Sequence, residues 1–387
     1  MCMGWGRANF DLPGSQKTLG AFTESIVLCE KVHIVVVRVV AFRFENALRE
    51  INADISLPYW DSNLDYLLGD ELAKQTVLWS SQFLGNGVGD VTDGPFAYWS
   101  IDDIPRDASL RSNILHRNLT VAPDFAMTMP ALMSDDAIIN FLNSHSMRNT
   151  TWFVNPVFES HHGAVHNWVG GVMANVPISP FDPVFFLHHA FIDCLWEQQR
   201  NIQRGENPSF DPQFDYPNDS VALGIDMEQP DGSILRYPEN SHHRALNPMH
   251  PFEPLRNIDG LRNVYFDDFY TCQHSPRCSR FVPTCGSPYL FCDFSVYRCA
   301  PKLLLGADCR RFRNSYPCMN GVCCDGTCQQ NCARQQPPRD RDSNRRPNGH
   351  DTQFHDDNDI IEQLQQELLY ASSNQRPDNY RSRDFRP

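Results

Sequence analysis

The chain has 387 residues and a formal net charge of −14, and 41% of its residues are hydrophobic against 21% charged. This length and composition are typical of a soluble protein with a sizeable core and room for more than one domain. The acidic balance argues against sequence-independent binding to nucleic acid, which needs a basic surface to displace phosphate counterions, so no nucleic-acid partner is expected.

The N-terminal segment, residues 1–37, shows no secretion signal, because its first 20 residues lack a basic stretch followed by an apolar one. The apolar run at 26–42 is interrupted by four polar or charged side chains, Glu30, Lys31, His33 and Arg38. These interruptions argue against a membrane-spanning helix, so no membrane span is expected.

Residues after Arg43 are predicted to form a helix that packs through Phe44, Leu48 and Ile51, which share one face at helical spacing. The turn that contains Trp60 is expected to close this helix onto the core. The following region, 62–157, is predicted to be a loop-rich connector, because its glycines supply turns and its aromatic side chains pack under loops.

Two histidines of the connector, His116 and His145, stand alone in the sequence. Each is expected to be solvated or hydrogen-bonded rather than a metal ligand. Three glycosylation sequons, which are compatible with secretion, begin at Asn118, Asn149 and Asn218.

The most informative stretch is 158–196. His162 and His166 are four residues apart, so on a helix both imidazoles lie on one face, as metal ligands often do. Gly170 and Gly171 are expected to end that helix. A second helix is predicted over about 183–197, with Asp182 as its N-cap and Pro183 at its first position, and it carries His189. Ordinary core or surface histidines remain the alternative interpretation.

The order of residues in this stretch adds a family resemblance. The run H-x3-H-x-W-V-G-G, followed by D-P-V-F-F-L-H-H-A-F-I-D-x-L-W, resembles the copper-B half of the tyrosinase and haemocyanin family of type-3 copper proteins. The resemblance implies a mainly α fold, a helical-bundle copper domain with loop-rich surroundings. It also implies that His162, His166 and His189 are copper-B ligands, whereas His188 matches a neighbouring histidine that is not a ligand.

The copper-A half is not matched. Residues 43–48 and 57–61 resemble the family's stretch just after its copper-A site, which places Val37 and Leu28 where two copper-A histidines would stand. Valine has no lone pair to offer a metal. The family holds two coppers. Because the copper-A positions are not matched here, only the copper-B ligands are expected in this chain. Either copper A has been lost or residues 1–37 are not the ancestral segment, and we favour the second explanation.

The chain has 14 cysteines, and eleven of them lie between Cys272 and Cys332, which predicts an oxidising, extracellular setting and a secreted protein. The spacing from Cys299, C-x9-C-x8-C-x4-CC-x3-C-x3-C, resembles small knotted disulfide modules; a zinc site is the alternative. Because eleven is odd, one cysteine must be free, pair outside the module or pair with another chain. Cys194 is expected to be a buried structural thiol.

These observations predict four parts of the chain. They are an unmatched N-terminal segment (1–37), a tyrosinase-like copper domain (38–270), a disulfide module (271–332) and a disordered tail (333–387).

The resemblance implies a secreted copper phenol oxidase that converts phenols or o-diphenols to o-quinones with dioxygen, with an apolar wall around Phe185 and Phe186 against the phenol ring. Gly163 stands where many tyrosinases have an asparagine that helps to deprotonate monophenols, which favours o-diphenols. The cysteine-rich extension is similar to that of molluscan tyrosinase-like proteins, which implies cross-linking or pigmentation of shell matrix and matrix proteins as partners. The alternatives are a catalytically inactive scaffold or matrix interaction protein and, less favoured, an oxygen carrier.

Overall fold

The computed structural model describes residues 33–101, 113–120, 132–143, 157–216, 227–228, 234–235, 245–249, 252–312 and 314–332. Within these ranges the α-helices are α1 (His33–Ile51), α2 (Ser62–Tyr66), α3 (Asp70–Ala73), α4 (Asp135–Leu142), α5 (Val157–Val169) and α6 (Val184–Glu206). Among the described residues the strands form four antiparallel pairs: β1 (Val88–Asp90) with β2 (His116–Asn118), β3 (Met227–Glu228) with β4 (Ile234–Leu235), β5 (Leu290–Asp293) with β6 (Arg298–Pro301), and β7 (Val322–Cys324) with β8 (Thr327–Gln329). The predicted mainly α fold is confirmed.

Helix α1 packs along α6. Four valines of α1, Val35, Val36, Val39 and Val40, are buried in the core to which α5 and α6 also contribute. Further along, the ring of Phe44 stacks on Phe186 of α6, with centroids 3.9 Å apart. Ile51 is 49% exposed, so the prediction that it packs on the core was wrong. The helix already turns away from the core at its C-terminal end.

The loop after α1 is anchored on α6. The Trp60 amide donates to the Leu187 carbonyl at 2.9 Å, and the Trp60 indole lies among Trp79 and Trp168 with centroids 5.6 and 6.1 Å away. All three indoles are buried. The prediction that this turn closes onto the core is confirmed.

The connection between α5 and α6 depends on two glycines with positive φ, Gly170 at 67° and Gly171 at 55°. A Cβ atom on Gly171 would lie 2.1 Å from the His116 carbonyl oxygen, so only glycine lets this turn approach β2. The Asp182 carboxylate accepts from the Val184 amide at 3.0 Å and caps α6. Buried Arg117 holds the same carboxylate through Nε and Nη2, at 2.7 and 2.8 Å.

The cysteine-rich segment, 271–332, is held by disulfides. Five lie within it, Cys278–Cys292, Cys285–Cys299, Cys309–Cys323, Cys318–Cys328 and Cys324–Cys332, and one, Cys194–Cys272, joins it to α6. The odd cysteine therefore pairs outside the segment, one of the three expected solutions. The prediction that Cys194 is a buried structural thiol was wrong, because Cys194 forms a disulfide with Cys272, which lies 78 residues away in sequence. All twelve described cysteines are oxidised, which excludes the zinc alternative for them.

The same segment packs directly on the helical part. The Val77 amide donates to the Lys302 carbonyl and the Leu304 amide to the Gln75 carbonyl, both at 2.8 Å. Arg298 of β6 pairs with Asp135 at the start of α4. The proposed boundary at 270/271 therefore separates two sequence patterns that share one packed surface.

Among the described residues, no helix combines the length and the hydropathy needed to cross a bilayer. The tail, 333–387, and the residues before His33 lie outside the described part of the chain.

Candidate metal centre

Three imidazoles meet between α5 and α6. The Nε2 atoms of His162 and His189 are 2.8 Å apart, those of His162 and His166 are 3.1 Å apart, and those of His166 and His189 are 3.4 Å apart. All three side chains are buried, at 7% exposure or less. The structure thus brings the three histidines together, although they span 28 positions of sequence.

Backbone carbonyls set the orientation of two of these rings. Nδ1 of His166 lies 3.0 Å from the Met173 carbonyl oxygen, and Nδ1 of His189 lies 2.8 Å from the Phe185 carbonyl oxygen. A carbonyl oxygen can only accept, so Nδ1 carries the proton in each neutral ring. The Nε2 atoms of both rings therefore present lone pairs toward the same point.

This arrangement fits a metal ion. His162 can donate a proton to one of the two lone pairs but not to both, so without a cation at least two lone pairs would face each other in a buried site. Imidazole nitrogens bind first-row metals at about 2.0–2.1 Å, so three nitrogens within 3.4 Å of one another can share one ion. A ligating histidine with its second nitrogen on a backbone carbonyl is a common supporting arrangement.

His188 completes a group of four histidines whose nitrogens lie within 4.8 Å of one another. Its ring lies nearly parallel to that of His162, with an interplanar angle of 8° and centroids 5.2 Å apart. Burial, together with the nearby His166 and His162, holds the pKa of His188 well below its ordinary value. His188 is therefore a neutral ring packed against the side of the cluster.

Of the two phenylalanines expected to form one apolar wall, Phe185 lies beside the histidine cluster. The Phe185 ring lies 3.9 Å from the His189 ring, centroid to centroid. Phe186 instead stacks on Phe44 between α6 and α1, so it belongs to the helix contact rather than to the histidine cluster.

A buried ionic network lies one turn beyond His189. The Arg38 Nε atom donates to Asp193 Oδ1 at 2.7 Å, and its Nη2 atom donates to Glu197 Oε2 at 2.9 Å. Arg200 donates to the same Glu197 oxygen at 3.0 Å, and both guanidinium groups lie over the Trp196 ring. Spacing rules did not reveal this network, because its members come from α1 and α6, 155 or more positions apart.

The pKa values in this network follow from burial and charge. Burial opposes the charge on Arg38, but Asp193, Tyr270 and Glu197 outweigh it and raise the pKa of Arg38. Burial and the nearby Arg38 lower the pKa of Arg200 to about 10. Both arginines are therefore charged at neutral pH, and Arg38 joins α1 to α6.

Val37 and His116, two further residues singled out from the sequence, do not belong to the histidine cluster. Val37 of α1 is buried, at 7% exposure. His116 Nδ1 lies 3.0 Å from Asp90 Oδ1 across the β1–β2 hairpin, which confirms that it is a hydrogen-bonded histidine.

Other sequence predictions fall partly outside the described residues. Asn118 is exposed at the end of β2. Leu28, His145, Asn149 and Asn218 lie outside the described ranges. In the described part of the chain, the other groups of potential metal ligands are cysteines that already form disulfides.

Comparison with known proteins identifies the family. Residues 38–201 match the common central domain of tyrosinase. A tyrosinase of Streptomyces lincolnensis is 33% identical over 242 residues, which cover 58% of this chain and 74% of that protein. The chain belongs to the tyrosinase family. Membership in this family implies copper as the metal.

Animal members of the tyrosinase family also match. A tyrosinase-like protein of Caenorhabditis elegans is 32% identical over 300 residues, 76% of this chain, and tyrosinase-like protein 2 of Margaritifera margaritifera is 32% identical over 269 residues, 66% of this chain. The chain spans only 40% and 52% of the length of these two relatives. A polyphenol oxidase from Thermothelomyces thermophila superposes with a TM-score of 0.39 at 18% identity, covering 56% of this chain and 69% of that one.

Proposed function

We propose that the chain is a secreted copper oxidase of the tyrosinase type, which converts phenols and o-diphenols to o-quinones with dioxygen. In this proposal His162, His166 and His189 hold copper B. The observation that carries it is the convergence of three buried Nε2 atoms within 3.4 Å, two of them with tautomers set by backbone carbonyls.

Copper held by His162, His166 and His189 would supply the redox chemistry that carries electrons from a phenol to dioxygen. The protein's own part is orientation and exclusion of water. The Met173 and Phe185 carbonyls keep the Nδ1 protons of His166 and His189 in place, so both Nε2 atoms stay available as ligands. The buried indole of Trp60 lies 6.4 Å from the His188 ring, centroid to centroid, and covers the core side of the cluster.

We infer that o-diphenols are the preferred substrates. Gly163 follows His162 directly on α5, and a Cβ atom at this position would meet no atom within 4 Å. Because glycine has no side chain, residue 163 offers no group that could accept a proton from a monophenol. An o-diphenol is more acidic and more easily oxidised than a monophenol, so its oxidation depends less on a side chain that accepts a proton.

A second candidate function is a non-catalytic copper-domain scaffold that contacts extracellular matrix proteins. The observation that favours it is Val37, which stands at the expected position of a copper-A ligand, is buried and has no lone pair to offer a metal. A single ion held by three imidazoles would lack the partner with which the family reduces dioxygen by two electrons.

Secretion forms part of the proposal because six disulfides persist only in an oxidising compartment. In that setting, quinones formed from phenols would cross-link or pigment neighbouring matrix proteins, including those of a mineralising shell. An N-linked glycan on exposed Asn118 is compatible with this location.

The two candidate functions differ in copper content and in product. Purified chain loaded with copper is assayed for bound copper per chain and for quinone formed from catechol. Two coppers and quinone formation support the oxidase. One copper without quinone supports the scaffold, and no bound copper contradicts both.

A further inference from the structure

Two consecutive residues of the metal-binding helix, Asp193 and Cys194, are each tied to the same short segment. The Tyr270 hydroxyl donates a short hydrogen bond to Asp193 Oδ2. Two residues later, Cys272 forms a disulfide with Cys194, with the Cα atoms 5.7 Å apart. Segment 270–272 therefore holds α6 by one hydrogen bond and one covalent bond, immediately after the turn that carries His189.

Asp193, which bonds Tyr270, also belongs to the buried ionic network around Arg38. The other oxygen of the Asp193 carboxylate accepts from Arg38 of α1, so Asp193 is held from two sides. Burial, opposed only in part by Arg38, raises the pKa of Tyr270 well above its ordinary value, so its hydroxyl stays protonated and donates. Asp193 is four residues after His189 and lies on the same face of α6.

The position of His189 depends on the position of α6. Its Nε2 atom must meet those of His162 and His166, which are carried by α5, to within 3.4 Å. Metal centres tolerate displacements of only a few tenths of an ångström, because bond lengths to one ion are narrowly defined. A rotation or slide of α6 would move His189 away from the other two rings.

We propose that the Cys194–Cys272 disulfide, together with Tyr270, is a positioning element of the metal centre. The disulfide holds α6 at the register in which His189 meets His162 and His166. This inference rests on the proposed ligand set. It makes the first residue of the cysteine-rich segment part of the support of the metal site, rather than part of a separate module.

Thermodynamic linkage makes the relationship reciprocal. If the disulfide favours metal binding, bound metal must disfavour loss of the disulfide by the same factor. Cys272 is partly exposed whereas Cys194 is buried, so a reductant reaches the bond through the Cys272 sulfur. With glutathione, one thiolate attacks that sulfur and the sulfur–sulfur bond breaks to give a mixed disulfide. A second glutathione thiolate then releases Cys272, and the products are one glutathione disulfide and the thiols of Cys194 and Cys272.

The test uses Zn²⁺ as the probe, because zinc binds imidazole and takes no part in redox chemistry. Its dissociation constant is measured by chelator competition for the full chain, for Cys194→Ser/Cys272→Ser and for Tyr270→Phe. The matched control, Cys318→Ser/Cys328→Ser, removes a disulfide that lies within the cysteine-rich segment. We expect about 10–100-fold weaker binding without Cys194–Cys272, a smaller loss for Tyr270→Phe, and a change within about threefold for the control.

A second measurement on the wild-type chain covers the case in which the double variant does not fold. The fraction of Cys194–Cys272 that is reduced at equilibrium with a buffer of reduced and oxidised glutathione is measured by alkylation and mass spectrometry, with and without saturating Zn²⁺. We expect zinc to lower the ratio of reduced to oxidised Cys194–Cys272 by about 10-fold or more and to leave Cys318–Cys328 unaffected. An equal ratio with and without zinc, or unchanged zinc affinity in a folded double variant, overturns the proposal.

Failure of the ligand set has a different signature. If His166→Ala binds Zn²⁺ as tightly as the wild-type chain, the proposed ligands are wrong, and the positioning role is overturned with them. If His166→Ala loses zinc but the disulfide variant does not, only the positioning role is overturned.

Discussion

The metal centre and the cysteine-rich segment achieve order by different means. Around His162, His166 and His189, order comes from helix packing, backbone carbonyls and a buried network of two arginines and two carboxylates. In 278–332, short hairpins are held by five disulfides around a small core. A cluster of polar imidazoles can thus be held inside a large apolar core, whereas a segment with little core needs covalent bonds.

The difference predicts distinct responses to mutation. Removing the charge of Arg38 from the helical region leaves two buried carboxylates, Asp193 and Glu197, each with one charged partner fewer. Removing one disulfide from the cysteine-rich segment mainly raises the conformational entropy of the unfolded chain.

The largest stability effect is expected from Arg38→Met. This change keeps the volume but leaves Asp193 without its guanidinium partner and Glu197 with Arg200 alone. Breaking a buried ion pair on one side costs about 3–5 kcal/mol of unfolding free energy. Urea denaturation measures it, with Lys74→Met of the exposed Lys74–Glu71 pair as the control. A loss no greater than that of the control would show that the network does not support the core.

The second effect is expected from Cys309→Ser/Cys323→Ser in the cysteine-rich segment. The two residues are 14 positions apart, and closing a loop of this length accounts for about 3 kcal/mol in the chain-entropy account. The loss should appear in unfolding followed by tyrosine and tryptophan fluorescence, while copper binding by the histidine centre persists. Equal loss of copper binding would mean that the two regions do not differ as described.

The third prediction concerns two buried carboxyl groups beneath the contact between the regions. Burial raises the pKa of Asp61 to about 6 and that of Asp65 to about 7. Folded-state pKa values above the unfolded ones mean that the folded protein binds more protons, so this contribution is complete below pH 4 and is lost as pH rises through 6 to 7. Unfolding free energy should therefore fall over that range.

Asp65→Asn tests this assignment. Its amide oxygen can still accept from the Trp60 indole, and Thr76 can turn its hydroxyl toward the Ala73 carbonyl. The variant should lose less stability than the wild-type chain between pH 5 and pH 8 in parallel urea titrations. Identical slopes would show that Asp65 does not titrate in this range.

The smallest effect is expected from Gly163→Ala on α5. A Cβ atom at this position meets no atom within 4 Å, so the change removes only the entropic cost of glycine in a helix. Thermal unfolding should show a gain of about 0.5–1 kcal/mol. A loss of stability would mean that α5 is strained at the metal centre.

Sequence patterns predicted the parts of the molecule better than the contacts between them. Helical spacing placed His162 and His166 on one face, and the glycine pair marked the end of α5. His189 required the family resemblance, because it lies on another helix. The role of Cys194 was mistaken, since a lone cysteine in a helix carries no sign of a partner 78 residues away. The Arg38 network is likewise a tertiary property that no local period encodes.

The most direct test of the central claim is pulsed EPR of the chain loaded with one equivalent of Cu²⁺. The account predicts imidazole nitrogen couplings from three histidines in the wild-type chain, and from two in His189→Ala with weaker copper binding. Identical couplings and affinity in the wild-type chain and His189→Ala would contradict the claim that His162, His166 and His189 form the metal centre.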